Sequence, residues 1–440
     1  MSTFIPVRRL EVFRRLATGE RMLAGVLAQN AQTVYFQYDP GYLTRYATLS
    51  PFSLSFDNSL QPAPSSPHQG LHGVFADSLP DGWGMLLMDR VFRQHGILPH
   101  QLTAMDRLAY TGARGTGALE YAPASDYQPA SAAPTTNIVE LGIQAQALFD
   151  GQTQEVLADL ATAGSPGGAR PKAQVYLRAG DHLSARTLPQ ADHEPWLVKF
   201  TSSSLALGHE ESLCEAAYLT LAKKAGIVVP EWQLIPAPAQ TGAIAWLALK
   251  RFDCTPSGGR YHLHSACGLL DADFRMPSLD YESLIKASQM LCKSPAVGQS
   301  QFRRAVFNLF ALNQDDHSKN WAFLQDDSGQ WSPSPFFDVT FSPNPRGEHS
   351  TAFAGYGKTP PLKAMQQLAR QASYANWAQA QECVQEVVDA LSHWEQEAAG
   401  LGVSAQTRAM IRGQLAQTYR LNQGLLAGRN DPLQPLLAAD

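Results

Sequence analysis

Short apolar runs separated by turn residues fill the first 121 residues and predict a β-rich region. The run 32–38 is typical, because it is rich in β-forming residues and ends at an Asp-Pro-Gly turn. One helical pattern interrupts these runs at 81–97. Residues 122–137 then carry few bulky apolar side chains and many Ala, Pro and Ser residues, so we expect a linker there.

Beyond the linker the pattern changes twice. Residues 138–162 favour a helix, a Gly-rich turn follows, and strand-like runs then alternate with one helix at 210–225. From about 278 onward the apolar positions recur with helical spacing, as in 302–312. The predicted fold is therefore α+β, with a β-rich N-terminal domain (1–121), a linker (122–137), a small mixed α/β lobe (138–277) and a larger all-α lobe (278–440).

Composition narrows the class of protein. The chain has 440 residues, of which 44% are hydrophobic and 17% charged, so it has ample apolar material for large cores. The net charge of −5 gives no general attraction to nucleic acid. No run approaches the roughly 20 apolar residues that span a membrane, and the N-terminus lacks the apolar centre of a signal peptide. With five cysteines and no CxxC pair, we expect a soluble cytoplasmic protein with reduced thiols.

The densest polar cluster is 313–320, which reads Asn-Gln-Asp-Asp-His-Ser-Lys-Asn directly after a helical segment. Residues 320–324 predict a strand, 325–329 a turn and 330–338 a return strand. A hairpin brings its open ends together, so we expect Asn320 and Asp338 to lie close to each other. Their oxygens are ligands that Mg²⁺ prefers, together with phosphate and water.

Asp315 precedes Asn320 by five residues, the spacing of the catalytic loop in protein kinases. There the Asp accepts the proton of the attacking hydroxyl and the Asn holds a metal ion. Asp316 is the rival base, but it lacks this spacing. His317 and Lys319 are candidates for contact with phosphate oxygens, although solvated loop side chains are an equally good interpretation.

Further candidates for nucleotide binding lie in the predicted mixed lobe. Lys199 ends a strand, as does the kinase lysine that meets nucleotide phosphates, and Glu215 on the next helix is its candidate partner. The turn 164–172 offers backbone amides, including those of Gly167 and Gly168, with Arg170 and Lys172 nearby. Segment 247–253, with Lys250 and Phe252, occupies the place of a hinge whose backbone would meet adenine. An ordinary turn and a solvated lysine are the alternatives.

These motifs, in this order, resemble the HipA family of serine/threonine kinases, the toxins of bacterial type II toxin–antitoxin pairs. The resemblance extends over nearly the whole chain. Its further motifs are FADSLPDGWG at 75–84, GARGTGALEY at 112–121, GGARPK at 167–172, AKKAGI at 222–227, KRFD at 250–253 and FDV at 337–339.

The resemblance implies ATP and Mg²⁺ as cofactors and a protein-kinase-like fold. Asp315 would be the catalytic base, Asn320 and Asp338 the metal ligands, and Lys199 the contact to the ATP phosphates. Ser165 matches the regulatory serine that family members autophosphorylate. The implied partners are a small helix-turn-helix antitoxin (HipB-like), through which any DNA contact would run, and a protein substrate such as an aminoacyl-tRNA synthetase. No membrane contact is expected.

Two other functions remain open at this point. One is a metal-dependent nuclease or phosphohydrolase built on Asp315, Asp316, His317 and Asp338. It would leave Lys199 and the hinge segment without a role. The other is a kinase fold without activity that acts as a scaffold.

Overall fold

Two units make up the chain, and a computed structural model describes residues 4–128, 136–156, 158–163, 167–277 and 279–427. The first unit comprises Met1–His209, Ile235–Asp271 and Phe323–Gln330. The second comprises Glu210–Leu234, Ala272–Ala322 and Trp331–Asp440.

The described residues form short strands and helices of very different lengths. The strands are β1 (Arg9–Arg15), β2 (Arg21–Gln29), β3 (Val34–Tyr38), β4 (Gln61–Pro62), β5 (Leu119–Ala122), β6 (Thr136–Asn137), β7 (Lys172–Arg178), β8 (Asp181–Arg186), β9 (His193–Lys199), β10 (Trp232–Pro236), β11 (Ala245–Lys250), β12 (His262–Ser265), β13 (Leu279–Asp280), β14 (Ala322–Gln325), β15 (Trp331–Pro333) and β16 (Thr351–Ala352). The helices are α1 (Pro40–Leu43), α2 (Gly73–Ala76), α3 (Gly82–Gln94), α4 (Ala104–Thr111), α5 (Ile138–Phe149), α6 (Ala158–Thr162), α7 (Glu211–Lys224), α8 (Ala266–Leu269), α9 (Tyr281–Cys292), α10 (Pro295–Ala311), α11 (Leu362–Gln371), α12 (Trp377–Leu391), α13 (Trp394–Gly400) and α14 (Ala405–Asn422).

The first unit is built on two sheets. One has the order β4-β3-β2-β1-β5 with antiparallel neighbours. In β1 the inward positions alternate, and the third of them is a charge, Arg14, which is fully buried. Its guanidinium donates to the Tyr42 hydroxyl and the Gln325 side chain, both at 3.0 Å, and to the Asp326 carbonyl at 2.7 Å. These bonds satisfy a charge that would be costly to bury alone.

The other sheet carries the Gly-rich turn at the start of one of its strands. Its order is β10-β11-β9-β7-β8-β6, and β9 pairs with β7 and β11 in antiparallel fashion. Helix α5 packs on this sheet so closely that a Cβ on Gly142 would lie 2.2 Å from the ring of Trp246. That ring meets Phe200 edge-on, with centroids 5.0 Å apart.

The second unit is mainly helical. The predicted stripe in α10 faces its core, since Phe302, Ala305, Val306, Leu309 and Phe310 are all buried. Helices α9, α11, α12 and α14 pack on α10. The Tyr218 hydroxyl of α7 donates to the carbonyl of Ala311, which ends α10, at 2.8 Å. The predicted mixed α+β class, β-rich at the start and helical at the end, is confirmed.

Individual predicted elements are confirmed with small shifts. The β-forming run at 32–38 contains β3, the pattern at 81–97 contains α3, and the segment at 210–225 contains α7. The continuous helix expected at 138–162 was wrong, because α5 ends at Phe149 and α6 begins at Ala158. The domain boundaries stay predictions, and residues 129–135 of the expected linker lie outside the described residues.

No helix among the described residues has the length and apolarity needed to cross a bilayer. The five cysteines all lie among the described residues, and none of them forms a disulfide.

A buried ion pair follows β11. Arg251 donates to the Asp253 carboxylate at 2.6 Å, and both side chains are nearly inaccessible. The Gly117 amide donates to the same carboxylate at 2.7 Å. Burial alone would raise the pKa of the Asp253 carboxyl, but the Arg251 charge and hydrogen bond, the Arg260 charge and the Gly117 bond hold this pKa below its usual value.

We expect Asp253→Asn to lower the free energy of unfolding by about 3 kcal/mol at pH 7, because it leaves Arg251 without a buried counter-charge. Since the folded-state pKa of Asp253 is depressed, its contribution is present above the unfolded value of 3.8 and is lost as the pH falls through the folded value. The difference between wild type and variant should therefore shrink towards pH 3. Urea unfolding at both pH values measures it, with the exposed Asp126→Asn as control. An equal difference at both pH values would contradict the ion-pair assignment.

Candidate functional site

The polar loop 313–320 begins where α10 is forced to end. Leu312 has a φ of 54°, a left-handed conformation that stops the helix. The chain after it pairs with a second segment: Ser342 N–H donates to the Leu312 carbonyl at 3.1 Å, and Gln314 N–H donates to the Ser342 carbonyl at 3.2 Å. The loop is thus held along its backbone from its first residues.

Asp316 anchors the loop from inside. It is 1% exposed, and its carboxylate accepts four hydrogen bonds. One oxygen accepts from the Tyr281 hydroxyl at 2.5 Å and from His349 Nδ1 at 2.9 Å. The other accepts from the backbone amides of Ser350 at 2.8 Å and Thr351 at 3.2 Å. A carboxylate so fully occupied is a structural support, so Asp316 is not in a position to act as the rival base.

A chain of buried side chains connects this anchor to Asp315. Tyr281 accepts a hydrogen bond from Asn308 at 2.9 Å, Asn308 accepts from Asn313 at 2.7 Å, and Asn313 accepts from the Ser342 hydroxyl at 2.9 Å. The Asp315 amide donates to that hydroxyl at 3.3 Å. Burial, reinforced by the Asp316 charge, holds the pKa of the Tyr281 hydroxyl well above its usual value, so it remains a donor.

Unlike the buried side chain of Asp316, the side chain of Asp315 is largely accessible to solvent, with 62% of it exposed. His317 Nε2 lies 3.7 Å from its carboxylate. The Asn320 side chain donates from Nδ2 to the Asp315 carbonyl at 2.7 Å, which fixes the spacing between these two residues. Because that nitrogen already donates to a carbonyl, the carboxamide oxygen is the Asn320 atom that could coordinate a metal ion.

Lys319 and His317 share one aromatic neighbour. The Lys319 ammonium lies 4.2 Å from the centroid of the Phe274 ring, within cation–π distance, and the His317 ring lies 5.8 Å from it. Contact of either side chain with phosphate stays a prediction.

The predicted hairpin forms, but it is shorter than expected. Strand β14 begins at Ala322, so Asn320 lies in a short 3₁₀ turn before it and not in the strand. The open end closes through a bond from Ser334 N–H to the Ala322 carbonyl at 2.9 Å, and the Trp321 and Phe336 rings lie 6.0 Å apart. Strand β15 ends at Pro333, well before Asp338.

Asp338 has a φ of 56°, which non-glycine residues seldom adopt. Such strain tends to occur at functional sites. The ring contact brings the chain on either side of the hairpin together one residue after Asn320 and two residues before Asp338. Their joint role as metal ligands stays a prediction.

In the first unit, Lys199 ends the central strand β9. It lies opposite Lys172 of β7 and Leu247 of β11. Both lysines are buried, at 5% and 4% exposure. The sheet register thus places two buried lysines side by side, and contact of Lys199 with the phosphates of a nucleotide stays a prediction. Glu215 is buried on α7 in the second unit, and its pairing with Lys199 stays a prediction.

The remaining predicted nucleotide contacts are placed as follows. The Lys172 ammonium donates to the Gly167 carbonyl at 2.9 Å, and the Gly168 amide donates to the carboxylate of Asp81. The Lys250 ammonium pairs with Glu194 at 2.7 Å, and the hinge contact of the backbone at this segment stays a prediction. Phe252 lies beside the buried Arg251–Asp253 pair. Ser165 lies outside the described residues.

Comparison with known proteins identifies the family. A model of the HipA-like C-terminal domain matches residues 164–394, more than half of the chain, and a model of the HipA N-terminal domain matches residues 18–122. This chain belongs to the HipA family.

Two known proteins are similar to this chain, one in sequence and one in fold. The protein Y4dM of Sinorhizobium fredii, named as a candidate kinase, is 29% identical over 181 residues, which are 39% of this chain and 43% of that protein. The alignment thus spans less than half of that relative. The HipA of Shewanella oneidensis, solved with HipB and its operator DNA, is 16% identical with a TM-score of 0.62 over 94% of this chain and 96% of that one. At this identity the likeness concerns the fold alone.

Replacing the anchor should be far more damaging than replacing its neighbour. We expect Asp316→Ala to lower the free energy of unfolding by on the order of 3 kcal/mol, because it leaves buried donors without an acceptor. The matched Asp315→Ala removes an exposed carboxylate and should stay within about 0.5 kcal/mol of wild type. Chemical unfolding of both variants measures this, and similar losses in the two would contradict the division between anchor and exposed carboxylate.

Proposed function

We propose that this protein is an ATP-dependent serine/threonine protein kinase that arrests growth as the toxin of a toxin–antitoxin pair. The observation that carries the proposal is the contrast between two adjacent carboxylates. Asp316 is buried and fully hydrogen-bonded, whereas Asp315 is exposed and tied through its own carbonyl to Asn320. This arrangement presents one carboxylate as a general base and one carboxamide oxygen as a metal ligand, with the spacing of a kinase catalytic loop.

Family membership supports the same reaction. In this proposal Asp315 accepts the proton of the attacking hydroxyl. Lys199, held in the central strand of its sheet and opposite a second buried lysine, attracts the phosphates of ATP. The backbone of the Gly-rich turn, apart from the Gly168 amide that already donates to Asp81, would bind phosphate, and the backbone of the segment at Lys250 and Phe252 would bind adenine.

The residues present fit a magnesium ion. Asn320 and Asp338 offer hard oxygen atoms, few in number, which is what Mg²⁺ takes from a protein when phosphate and water complete its shell. Since the Asn320 nitrogen donates to the Asp315 carbonyl, the oxygen is the atom through which this side chain would bind the ion. A bound ion would neutralise phosphate charge during transfer.

The alternative of a metal-dependent hydrolase is less well supported, because one of its four residues, Asp316, is poorly placed to take part. It requires Asp316 as a ligand or base, and both oxygens of that carboxylate accept hydrogen bonds from protein groups. Among the described residues, no three or more His, Cys, Asp or Glu side chains group as a metal cluster would require. The kinase assignment gives Lys199 a role that the hydrolase does not.

The partners belong to the proposal as well. The relative from Shewanella oneidensis was solved with HipB and operator DNA. We infer a small helix-turn-helix antitoxin for this chain, DNA contact through that antitoxin, a cytoplasmic location, and a translation protein such as an aminoacyl-tRNA synthetase as substrate.

We expect Asp315→Ala to lower the rate of phosphoryl transfer by at least about a hundredfold, the scale of general base catalysis, with the fold unchanged. The assay is transfer of label from γ-labelled ATP to protein in a cell extract, followed by identification of the band that wild type alone produces. Full transfer by Asp315→Ala would contradict the role of this residue. Release of free phosphate or cleavage of nucleic acid, without labelled protein, would favour the hydrolase.

Ser165 offers a separate test of self-modification. We expect Ser165→Ala to lose self-labelling while it still labels the substrate, because the hydroxyl is an acceptor and not part of the catalytic machinery. Mass spectrometry of the labelled wild type identifies the modified residue. Undiminished self-labelling of the variant would mean that another residue is modified.

A further inference from the structure

The first turn of α3 lies directly against the Gly-rich turn. The Trp83 amide donates to the Gly168 carbonyl at 3.0 Å, and the Trp83 indole donates to the Lys172 carbonyl at 2.8 Å. In return, the Gly168 amide donates to the carboxylate of Asp81. Both polar groups of the Gly168 backbone are therefore bound by residues at the start of α3.

Asp81 occupies the position from which an Asp normally caps its own helix. It precedes α3 with extended backbone angles, φ −131° and ψ 175°, yet its side chain accepts no hydrogen bond from the helix. A capping carboxylate usually contributes about 1 kcal/mol through such bonds. The Asp81 carboxylate instead binds an amide in the turn 87 residues further along the chain.

Two glycines, Gly82 and Gly167, permit this approach, and Gly168 is confined by Lys172 of the strand that follows it. A Cβ on Gly82 would lie 2.6 Å from the Gly168 carbonyl oxygen, and one on Gly167 would lie 2.7 Å from the Asp81 carboxylate. One on Gly168 would lie 2.5 Å from the Lys172 ammonium. Gly168 also has a φ of 102°, which side chains rarely allow. The glycines at 82 and 167 are thus explained by the contact between α3 and the turn, in addition to any contact with a ligand.

We propose that Asp81 is a positioning residue that holds the Gly-rich turn in the form that binds the phosphates of ATP. The inference deepens the proposed kinase function and rests on it. Fixing a backbone segment before the ligand arrives lowers the conformational entropy that binding must remove. Asp81 and Trp83 supply that order through three hydrogen bonds to the backbone of the turn and its strand.

If Asp81 opposed ATP binding, its replacement would have the opposite effect on ATP affinity. A carboxylate on an amide of a phosphate-binding turn could compete with phosphate for the turn. In that case its removal would tighten ATP binding, whereas removal of a positioning residue weakens it.

The test compares Asp81→Ala with Asp81→Asn, which retains a side-chain oxygen able to accept the Gly168 amide. We expect Asp81→Ala to raise both the Kd for Mg·ATP, measured by calorimetry, and the KM for ATP in the labelling assay by about tenfold, the effect of one hydrogen bond to a charged group. The maximal rate should stay within about twofold, because the reacting groups are untouched, and Asp81→Asn should recover most of the affinity. Asp39→Ala is the matched control, since Asp39 caps its own helix α1.

Amide hydrogen exchange in the peptide that contains Gly168 supplies a readout independent of activity. Exchange should be faster in Asp81→Ala and close to wild type in Asp81→Asn and Asp39→Ala. Faster exchange with unchanged ATP affinity, or tighter ATP binding, would overturn the positioning role. If wild type itself binds no ATP, the kinase proposal fails, while the exchange data still report whether Asp81 orders the turn.

Discussion

A buried carboxylate is the constraint on which the polar loop 313–320 depends. Asp316 can be buried only because four donors, two side chains and two backbone amides, converge on its oxygens. Those donors come from α9 and from the segment around Ser350, so the loop is tied to elements on both sides of it in sequence. The exposed Asp315 directly precedes this anchor, and its own backbone is bound by the Ser342 hydroxyl and the Asn320 side chain.

The Gly-rich turn of the other unit follows the same principle with a different chemistry. Its order comes from a carboxylate outside the turn, Asp81, and from two donors on Trp83. In both loops a carboxylate that accepts hydrogen bonds from backbone amides lies next to the residues proposed to act on ATP. Rigidity of this kind suits phosphoryl transfer, which depends on placement and charge more than on covalent chemistry.

Periodicity alone located most of the elements that carry the site, because helices such as α10 and strands such as β9 bury one regular set of positions. The hairpin after Asn320 was also foreseeable from its turn residues. Its length was not, since β15 ends at Pro333 and the chain beyond it bonds to a distant segment, with Phe336 N–H donating to the Val228 carbonyl at 2.8 Å. The break between α5 and α6 was missed for a different reason, because the turn signal Asp150-Gly151 was read as part of a helix, whereas Gly151 has a φ of 72° and ends it.

Asp315 and Asp316 show where sequence reasoning reaches its limit. The two residues are chemically identical neighbours, and only kinase spacing favoured the first. What separates them is tertiary: Tyr281 and His349, distant in sequence, reach one carboxylate and not the other. Asp81 shows the same limit in another way. Its position directly before α3 is that of an ordinary N-cap, yet its carboxylate accepts the distant Gly168 amide. In each case the role follows from which donor the carboxylate meets, and that is decided by the fold.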